Sequence, residues 1–365
     1  MVGQKFVQSE FVIRSSSTEY KITSELDSFI ESGSIYLYIV DKRVISQAKK
    51  IFSNIEYLIE LDVDENLKTL AGCSQILESM AELGINRSFE IIAIGGGALQ
   101  DAVTLVASIF MRGLKWSYVP TTLMSMLDSC IGGKSSINLG SYKNLLGNFY
   151  PPKAIYIDTT FIETLGAIDI GAGLAEGVKI CFAASPKDSN TFCELIETWR
   201  KLEDPNIILE AIFFTLQKKK WFIEIDEFDK KERKLLNFGH SFGHALEAAS
   251  DFKIQHGIGV FIGMIAAIEH SGISRTSVDR LLRFIETEMQ RVTSIIEPAV
   301  ISKSLFIKAI SQDKKNSKTE QVLVLPNVDC ILETRRIPLT SDGLENCWKS
   351  LLVALDEVDF SYEIL

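Results

Sequence analysis

Three of the chain's four histidines fall in one short stretch, Asn237-Phe-Gly-His240-Ser-Phe-Gly-His244-Ala-Leu-Glu247 followed by His256-Gly257. A Gly-Leu-Ala-Glu176-Gly-Val-Lys179 segment lies upstream. Imidazole and carboxylate are ligand types of catalytic zinc and similar divalent ions, and three protein ligands leave one position open for substrate. His240 and His244 are spaced to point from one helical face. They read as two ligands of one metal, with His256 or Glu176 as the third. Histidines near a helix start can instead cap the helix or satisfy core polar groups. The Gly-flanked His256 and the Glu176–Lys179 turn weigh toward the metal, and hence toward an enzyme.

Other segments could hold anions. Ile94-Gly95-Gly96-Gly97 follows an apolar run and precedes a helical pattern starting near Asp101. Glycines there let backbone amides approach a ligand, and a helix N-terminus favours an anionic group such as a pyrophosphate. The spacing is not G-x-G-x-x-G, and alone it would mark only a tight turn. Pro120-Thr121-Thr122 reads as a hydroxyl loop facing the same ligand or, more plainly, as a helix start with Thr as N-cap. Asp128 to Lys134 puts an acid, two glycines and a lysine together without P-loop spacing. Lys218-Lys219-Lys220 is by default a solvated helix face. It gains interest because Lys219 and Arg233 bracket an acidic Asp226-Glu227 loop that leads into the histidines. Phe213-Phe214 and Trp221-Phe222 read as core.

The elements that must position these groups alternate at first. Ile35–Val40 and Glu90–Ile94 are short β-branched and aromatic runs, the pattern of strands buried on both faces of a parallel sheet. Lys68–Leu83 between them has helical spacing, and Trp116–Val119 and Ala154–Ile157 read as further strands. The fold class expected is an α/β N-terminal domain with a Rossmann-like parallel sheet, residues 1–170, and a mainly α-helical C-terminal domain, residues 171–365. Helical stretches in the latter are Leu174–Phe182, Asn206–Ile225, Phe242–Ala249, Val260–His270 and Val278–Glu288, with one strand-like run, Gln321–Leu325. The junction falls between Pro151-Pro152 and Gly173.

The chain's 365 residues, 46% hydrophobic and 24% charged, suit two cores better than one. No apolar leader follows Met1, and no apolar run approaches the ~20 residues of a membrane span, so the expectation is a cytoplasmic protein without membrane attachment. Six scattered cysteines lack C-x-x-C spacing and read as small buried hydrophobes. A net charge of −10 argues against nucleic acid as a partner. Basic residues nevertheless cluster around the motifs: Arg112, Lys134, Lys143, Lys179, Lys218–Lys220, Arg233 and Lys314-Lys315. Converging, they would suit a small polyanion.

Together these segments resemble the dehydroquinate synthase family of sugar-phosphate cyclases. The resemblance rests on Gly95 to Asp101, Met111-Arg112-Gly113, Val119 to Thr122, Asp128 to Lys134, Lys143-Asn144, Ala172 to Lys179, Lys219 with Asp226-Glu227, Arg233, Leu236-Asn237 through Glu247, His256-Gly257 and Asp313 to Lys315, in the family's order. It implies an NAD-binding N-terminal domain, a metal-binding helical C-terminal domain and a homodimer. The implied reaction converts 3-deoxy-D-arabino-heptulosonate 7-phosphate to 3-dehydroquinate and phosphate, by transient NAD oxidation, phosphate elimination, re-reduction and intramolecular aldol closure. Glu176, His240 and His256 would then hold zinc, or cobalt, and His244 would face the substrate phosphate. Asp41, Glu65, Lys68, Gly95, Gly96, Gly97, Asp101, Thr121, Thr122 and Lys143 would line NAD. Asp128, Lys134, Asn144, Lys179, Lys219, Arg233, Asn237 and Lys315 would surround the substrate, with Arg112 reaching in from the other subunit.

A substrate with both carboxylate and phosphate needs several cations, and guanidinium offers the planar fork that suits carboxylate. Arg233, Lys219 and Asn237 therefore favour the dehydroquinate reaction over the 2-deoxy-scyllo-inosose or 2-epi-5-epi-valiolone type. Four departures from the family pattern stand out. Ile258 follows His-Gly where an acid is usual, which would remove a carboxylate that orients a histidine ligand. Gln100 replaces a glycine, Ser135-Ser136 a Thr-Gly pair, and Arg43 an asparagine near the cofactor. The rival readings are a cyclase for another sugar phosphate, a metal-dependent glycerol or polyol dehydrogenase with net NADH production, and a noncatalytic binding protein.

Overall fold

The computed structural model describes residues 9–16, 18–140, 142–312 and 319–365. The chain divides into two compact units. The described parts of Met1–Leu165 join Ile208–Glu227 in one, and Gly166–Ile207 joins the described parts of Phe228–Leu365 in the other.

The first unit is built on a seven-stranded sheet. Its strands are β1 (Glu10–Arg14), β2 (Glu19–Thr23), β3 (Ile35–Asp41), β4 (Tyr57–Leu61), β5 (Phe89–Gly95), β6 (Trp116–Pro120) and β9 (Ala154–Tyr156), and β7 (Ile137–Leu139) and β8 (Tyr142–Leu146) form a separate hairpin. The order is β1-β2-β9-β6-β5-β3-β4. Only β1 and β2 pair antiparallel within it. Every residue of β5 and β6 is buried, because helices cover both faces and leave no solvent side to populate with polar residues. The expected strands at 35–40, 90–94, 116–119 and 154–157 are all present, the second one residue longer at each end and the others one residue longer or shorter at one end.

α1 (Leu26–Phe29), α2 (Ile45–Ile51), α3 (Leu70–Glu82) and α4 (Gly97–Ile109) connect these strands. β3 leads to β4 on one side while β5 lies on its other side, so the chain reverses direction across the sheet between β3 and β5. At such a reversal the loops from the strand ends part, opening a crevice beyond their carboxyl ends. Asp41 ends β3 there, and Gly95 ends β5. The helix expected from Lys68 starts at Leu70, since the Thr69 hydroxyl accepts from Gly72 N at 3.1 Å and caps it. Lys68 is thereby left in the turn.

The second unit opens with α5 (Ala167–Ala184), buried from Gly171 through Phe182, and α6 (Pro186–Leu202), where Ser185 caps and Pro186 occupies the first turn. α7 (Pro205–Ile225) then leaves this core, and from Ile208 it packs with the first unit. Its helical spacing is as expected, but the sequence reading had placed it in the C-terminal domain. α8 (His240–Ala249), α9 (His256–Ser271), α10 (Asp279–Gln290), α11 (Lys303–Ser311) and α12 (Ser341–Glu357) complete a mainly helical unit. Two small sheets accompany them, β10 (Ala299–Ile301) with β13 (Tyr362–Ile364) and the hairpin of β11 (Glu320–Pro326) and β12 (Leu332–Pro338). All six cysteines are buried and unbridged. Among the described residues no helix is long and apolar enough to cross a membrane.

Candidate active site

In the second unit, glycine brings three helices close enough for their polar side chains to meet. A Cβ on Gly257 would lie 2.3 Å from Ala172 Cα of α5, and one on Gly243 would lie 2.8 Å from the Gly259 carbonyl oxygen of α9. Both distances are shorter than any real contact, so a larger residue would force the helices apart. Through these approaches α5 delivers Glu176 and Lys179, α8 delivers His240 and His244, and α9 delivers His256.

The geometry is compact. Glu176 Oε1 lies 3.1 Å from His256 Nε2 and 3.8 Å from His240 Nε2. Tetrahedral ligands with bonds of about 2.0–2.2 Å stand roughly 3.3 Å apart, so the three donors are spaced to share one ion. The His240, His244 and His256 rings lie 5.2 to 5.3 Å from one another, and one nitrogen of each falls within 4.8 Å of the others. His244 is the exposed member of the three.

Buried charge is balanced on the spot. The Glu176 and Lys179 side chains are 2% and 3% exposed, and the Lys179 ammonium donates to Glu176 Oε2 one helical turn away. Burial alone would depress the His256 imidazole, but the carboxylates of Glu176 and Glu247 hold it protonated up to about 10. The carboxylates thus demand a cation between them. A proton and a metal ion compete for that place, as they do wherever imidazole must be deprotonated to bind a metal. Arg233 is buried and Asn237 half-buried on the 3-10 turn Glu232–Asn237 that runs into α8, with the Asn237 amide donating to the Lys234 carbonyl at 3.0 Å. Lys315 lies outside the described residues.

The first unit collects the other candidates at strand ends. Gly96 caps α4, and a Cβ there would stand 3.0 Å from Thr122 Cγ2, so the β5 and β6 loops lie in close contact at this glycine. Gly96 offers the first turn of α4 no side-chain cap, and the helix dipole there favours an anion. Thr121 is buried, and its amide donates to Gly95 O at 3.0 Å. The Thr122 hydroxyl accepts from Ser125 N at 3.2 Å, closing the turn that leads into the π-helical segment Ser125–Ser129. Asp128 sits on that turn. Lys219 of α7, 5% exposed, is an ion-pair partner of the Asp128 carboxylate and donates to the Asp128 and Ile131 carbonyls.

A second polar cluster surrounds Lys68, whose ammonium lies 3.0 Å from Asp101 Oδ2, 3.1 Å from Asn144 Oδ1 and 3.9 Å from Glu65 Oε1. Asn138, which the sequence reading did not single out, joins them, donating to Glu65 Oε1 at 2.8 Å and accepting from Asn144 N at 2.9 Å. Burial raises the Asp101 carboxyl to about 6 against the pull of Lys68. Lys143 and Lys134 are exposed. Arg112 stands apart from all of these. It lies on a left-handed corner (φ 70°) and lines a cavity of about 430 Å³ with Arg87, Lys115 and Lys153, at the end of the strands opposite the Gly95–Gly97 loop.

The four departures also find places. Gln100 and Ser129 bond reciprocally, each at 2.7 Å, and tie α4 to the turn bearing Asp128. Arg43 grips the Asp41 carboxylate, with Nη2 2.6 Å from Oδ2 and Nε 3.1 Å from Oδ1. Ser135 bonds Asn148 Oδ1 at 2.7 Å. Ile258 is fully buried, and its Cδ1 lies 3.6 Å from where a Cβ on Gly171 would stand.

Residues 58–171 match the 3-dehydroquinate synthase N-terminal family and residues 173–316 the 3-dehydroquinate synthase C-terminal family. The chain belongs to the 3-dehydroquinate synthase family. A relative named 3-dehydroquinate synthase, from Natranaerobius thermophilus, is 33% identical over 336 residues, covering 88% of this chain and 90% of that protein. Among solved structures, a 2-deoxy-scyllo-inosose synthase complexed with carbaglucose-6-phosphate, NAD+ and Co2+ has a TM-score of 0.79 at 20% identity, covering 93% of this chain and 100% of that chain. A 2-epi-5-epi-valiolone synthase from Streptomyces hygroscopicus with NAD+ and Zn2+ bound has a TM-score of 0.78 at 23% identity, covering 95% of this chain and 99% of that one. Likeness at these identities speaks for a shared fold.

Proposed function

We propose that this member of the 3-dehydroquinate synthase family carries out the dehydroquinate reaction itself, turning 3-deoxy-D-arabino-heptulosonate 7-phosphate into 3-dehydroquinate and inorganic phosphate. The observation that carries the reading is the spacing of Glu176 Oε1 from His256 and His240, 3.1 and 3.8 Å, which suits zinc or cobalt. When bound, the metal would lower the proton affinity of neighbouring substrate hydroxyls, and NAD would accept and return a hydride.

The chain's own residues supply orientation and charge. Glu176, His240 and His256 hold the ion, and the exposed His244 meets the substrate phosphate. Lys179 pairs with Glu176 within the core and balances its buried charge. Arg233 and Asn237 receive the carboxylate that distinguishes this substrate from simple sugar phosphates, the guanidinium by its planar fork. Asp128, Lys134, Asn144, Lys219 and Lys315 complete the substrate contacts. For NAD, the α4 N-terminus and the Gly95–Gly97 loop take the pyrophosphate, and Asp41, Glu65, Lys68, Asp101, Thr121, Thr122 and Lys143 line the remainder. Arg112, remote from its own chain's glycine loop, serves the site of the second subunit in a cytoplasmic homodimer.

Phosphate release from the heptulosonate phosphate by metal-loaded protein with NAD, abolished by chelator, is the expected result. No release from it, with release from another sugar phosphate in a parallel panel, would replace the substrate. Steady accumulation of NADH from a polyol would replace the reaction class.

A further inference from the structure

The His256 imidazole is held from both sides by carboxylates of different helices. Nε2 faces Glu176 Oε1 at 3.1 Å, and Nδ1 lies 2.9 Å from Glu247 Oε1. Glu247 follows His240 by seven residues and His244 by three on α8, so all three share one helical face. Its side chain is 14% exposed and lies along Gly259 of α9, where a Cβ would stand 3.6 Å from Glu247 Cγ and 3.7 Å from its Oε1. The Glu247 carboxyl is thus in ordinary packing contact with α9 beside Gly259 as it reaches across to His256.

The acid expected after His-Gly would not have that reach. Ile258 is fully buried and is directed at Gly171 of α5, within the apolar packing of the two helices. An acid at that position would be carried into hydrocarbon rather than toward the ring of His256.

Accepting the metal-centre reading above, we infer that Glu247 is the positioning residue for His256. It accepts from Nδ1–H, fixes the ring's rotation and tautomer, and leaves the Nε2 lone pair directed into the space between Glu176 and His240. The orienting carboxylate of this chain comes from α8, so Ile258 costs the site nothing. Carboxylates that accept from the far nitrogen of a ligating histidine typically contribute 10- to 100-fold to metal affinity.

The test uses the full chain stripped with chelator and titrated with Zn2+ against a chromophoric competitor, and with Co2+ followed by its visible absorption. Glu247→Ala should weaken both metals about 10- to 100-fold, and the isosteric Glu247→Gln by less, with a changed Co2+ spectrum in each. Nitrogen-15 NMR of the zinc-loaded parent, labelled at histidine, should find the His256 proton on Nδ1. If Glu247→Ala does not fold, Glu247→Gln and the parent's tautomer decide. Affinities within about twofold of the parent with an unaltered Co2+ spectrum, or a His256 proton on Nε2, would overturn the inference. A parent that takes up no metal would instead remove the metal centre on which it rests.

Discussion

In the second unit the charged groups are side chains on long helices, drawn together by glycine contacts: Glu176 and Lys179 are almost wholly buried, and His240 and His256 are partly so. In the first unit the candidate ligand groups stand at strand ends and turns, where the groups offered to a ligand are backbone amides and the side chains are busy with one another. Gln100 holds Ser129, Arg43 holds Asp41, Lys68 holds Asp101 and Asn144. A helical constellation spends its stability on desolvated charge, which must be balanced locally. A loop constellation depends on many modest hydrogen bonds, each contributing about 1 kcal/mol. Removing one member should therefore be costly in the first kind and mild in the second.

The sharpest way to break that contrast is Lys179→Met. Loss of one partner from a buried ion pair typically costs 3–5 kcal/mol, so the metal-free variant should unfold at markedly lower denaturant than the parent. Saturating Zn2+ should recover part of the deficit, because a cation between Glu176 and the histidines again offsets the carboxylate. Denaturation with and without the ion measures both. Equal stability of parent and variant without metal would mean that Glu176 is protonated in the core and that the ion pair is not what holds it.

Gln100→Ala examines the other side of the comparison at lower stakes. It leaves the Ser129 hydroxyl and carbonyl without their partners, a loss of about 1–3 kcal/mol. The metal affinity of the second unit should be untouched, while NAD affinity falls as the α4 N-terminus and the Asp128 turn lose their tie. Calorimetric titration with NAD and competitive titration with Zn2+ separate the two. A change in zinc affinity comparable to that for NAD would show the two constellations to be one cooperative system.

The contrast also explains what could be read from sequence. β3, β5, β6 and β9 announce themselves as apolar β-branched runs because burial on both faces removes any other pattern. His240 and His244 share a face by their spacing, and Glu247 continues that face, so the i, i+4, i+7 series was available in the sequence as the signal for the orienting carboxylate. The hairpin of Glu10–Arg14 and Glu19–Thr23 was not anticipated, since both strands are short and mix polar with apolar residues, so no continuous apolar run marks them. Periodicity marks Asn206–Ile225 as a helix but says nothing about which core it joins. The Gln100–Ser129 and Asn138–Glu65 bonds link residues far apart in the chain, and only the folded backbone brings such pairs into register.

The most gradual expected effect concerns Asp101, where the two regions differ in how a buried acid is treated. Glu176 is matched by an adjacent ammonium, whereas burial raises Asp101 to about 6 despite Lys68 at 3.0 Å. The folded chain therefore binds this proton more tightly than the unfolded chain, whose aspartate titrates near 3.8. Between those two values the native state carries the extra proton, so this group makes stability fall as pH rises through the window, by at most about 1.4 kcal/mol per pH unit. Above about 6 the contribution is constant. Asp101→Asn should flatten that part of the stability–pH profile, read from denaturant midpoints at pH 4 through 7. Parent and variant profiles that run parallel across the window would mean that Lys68 offsets the burial fully and that Asp101 is charged throughout.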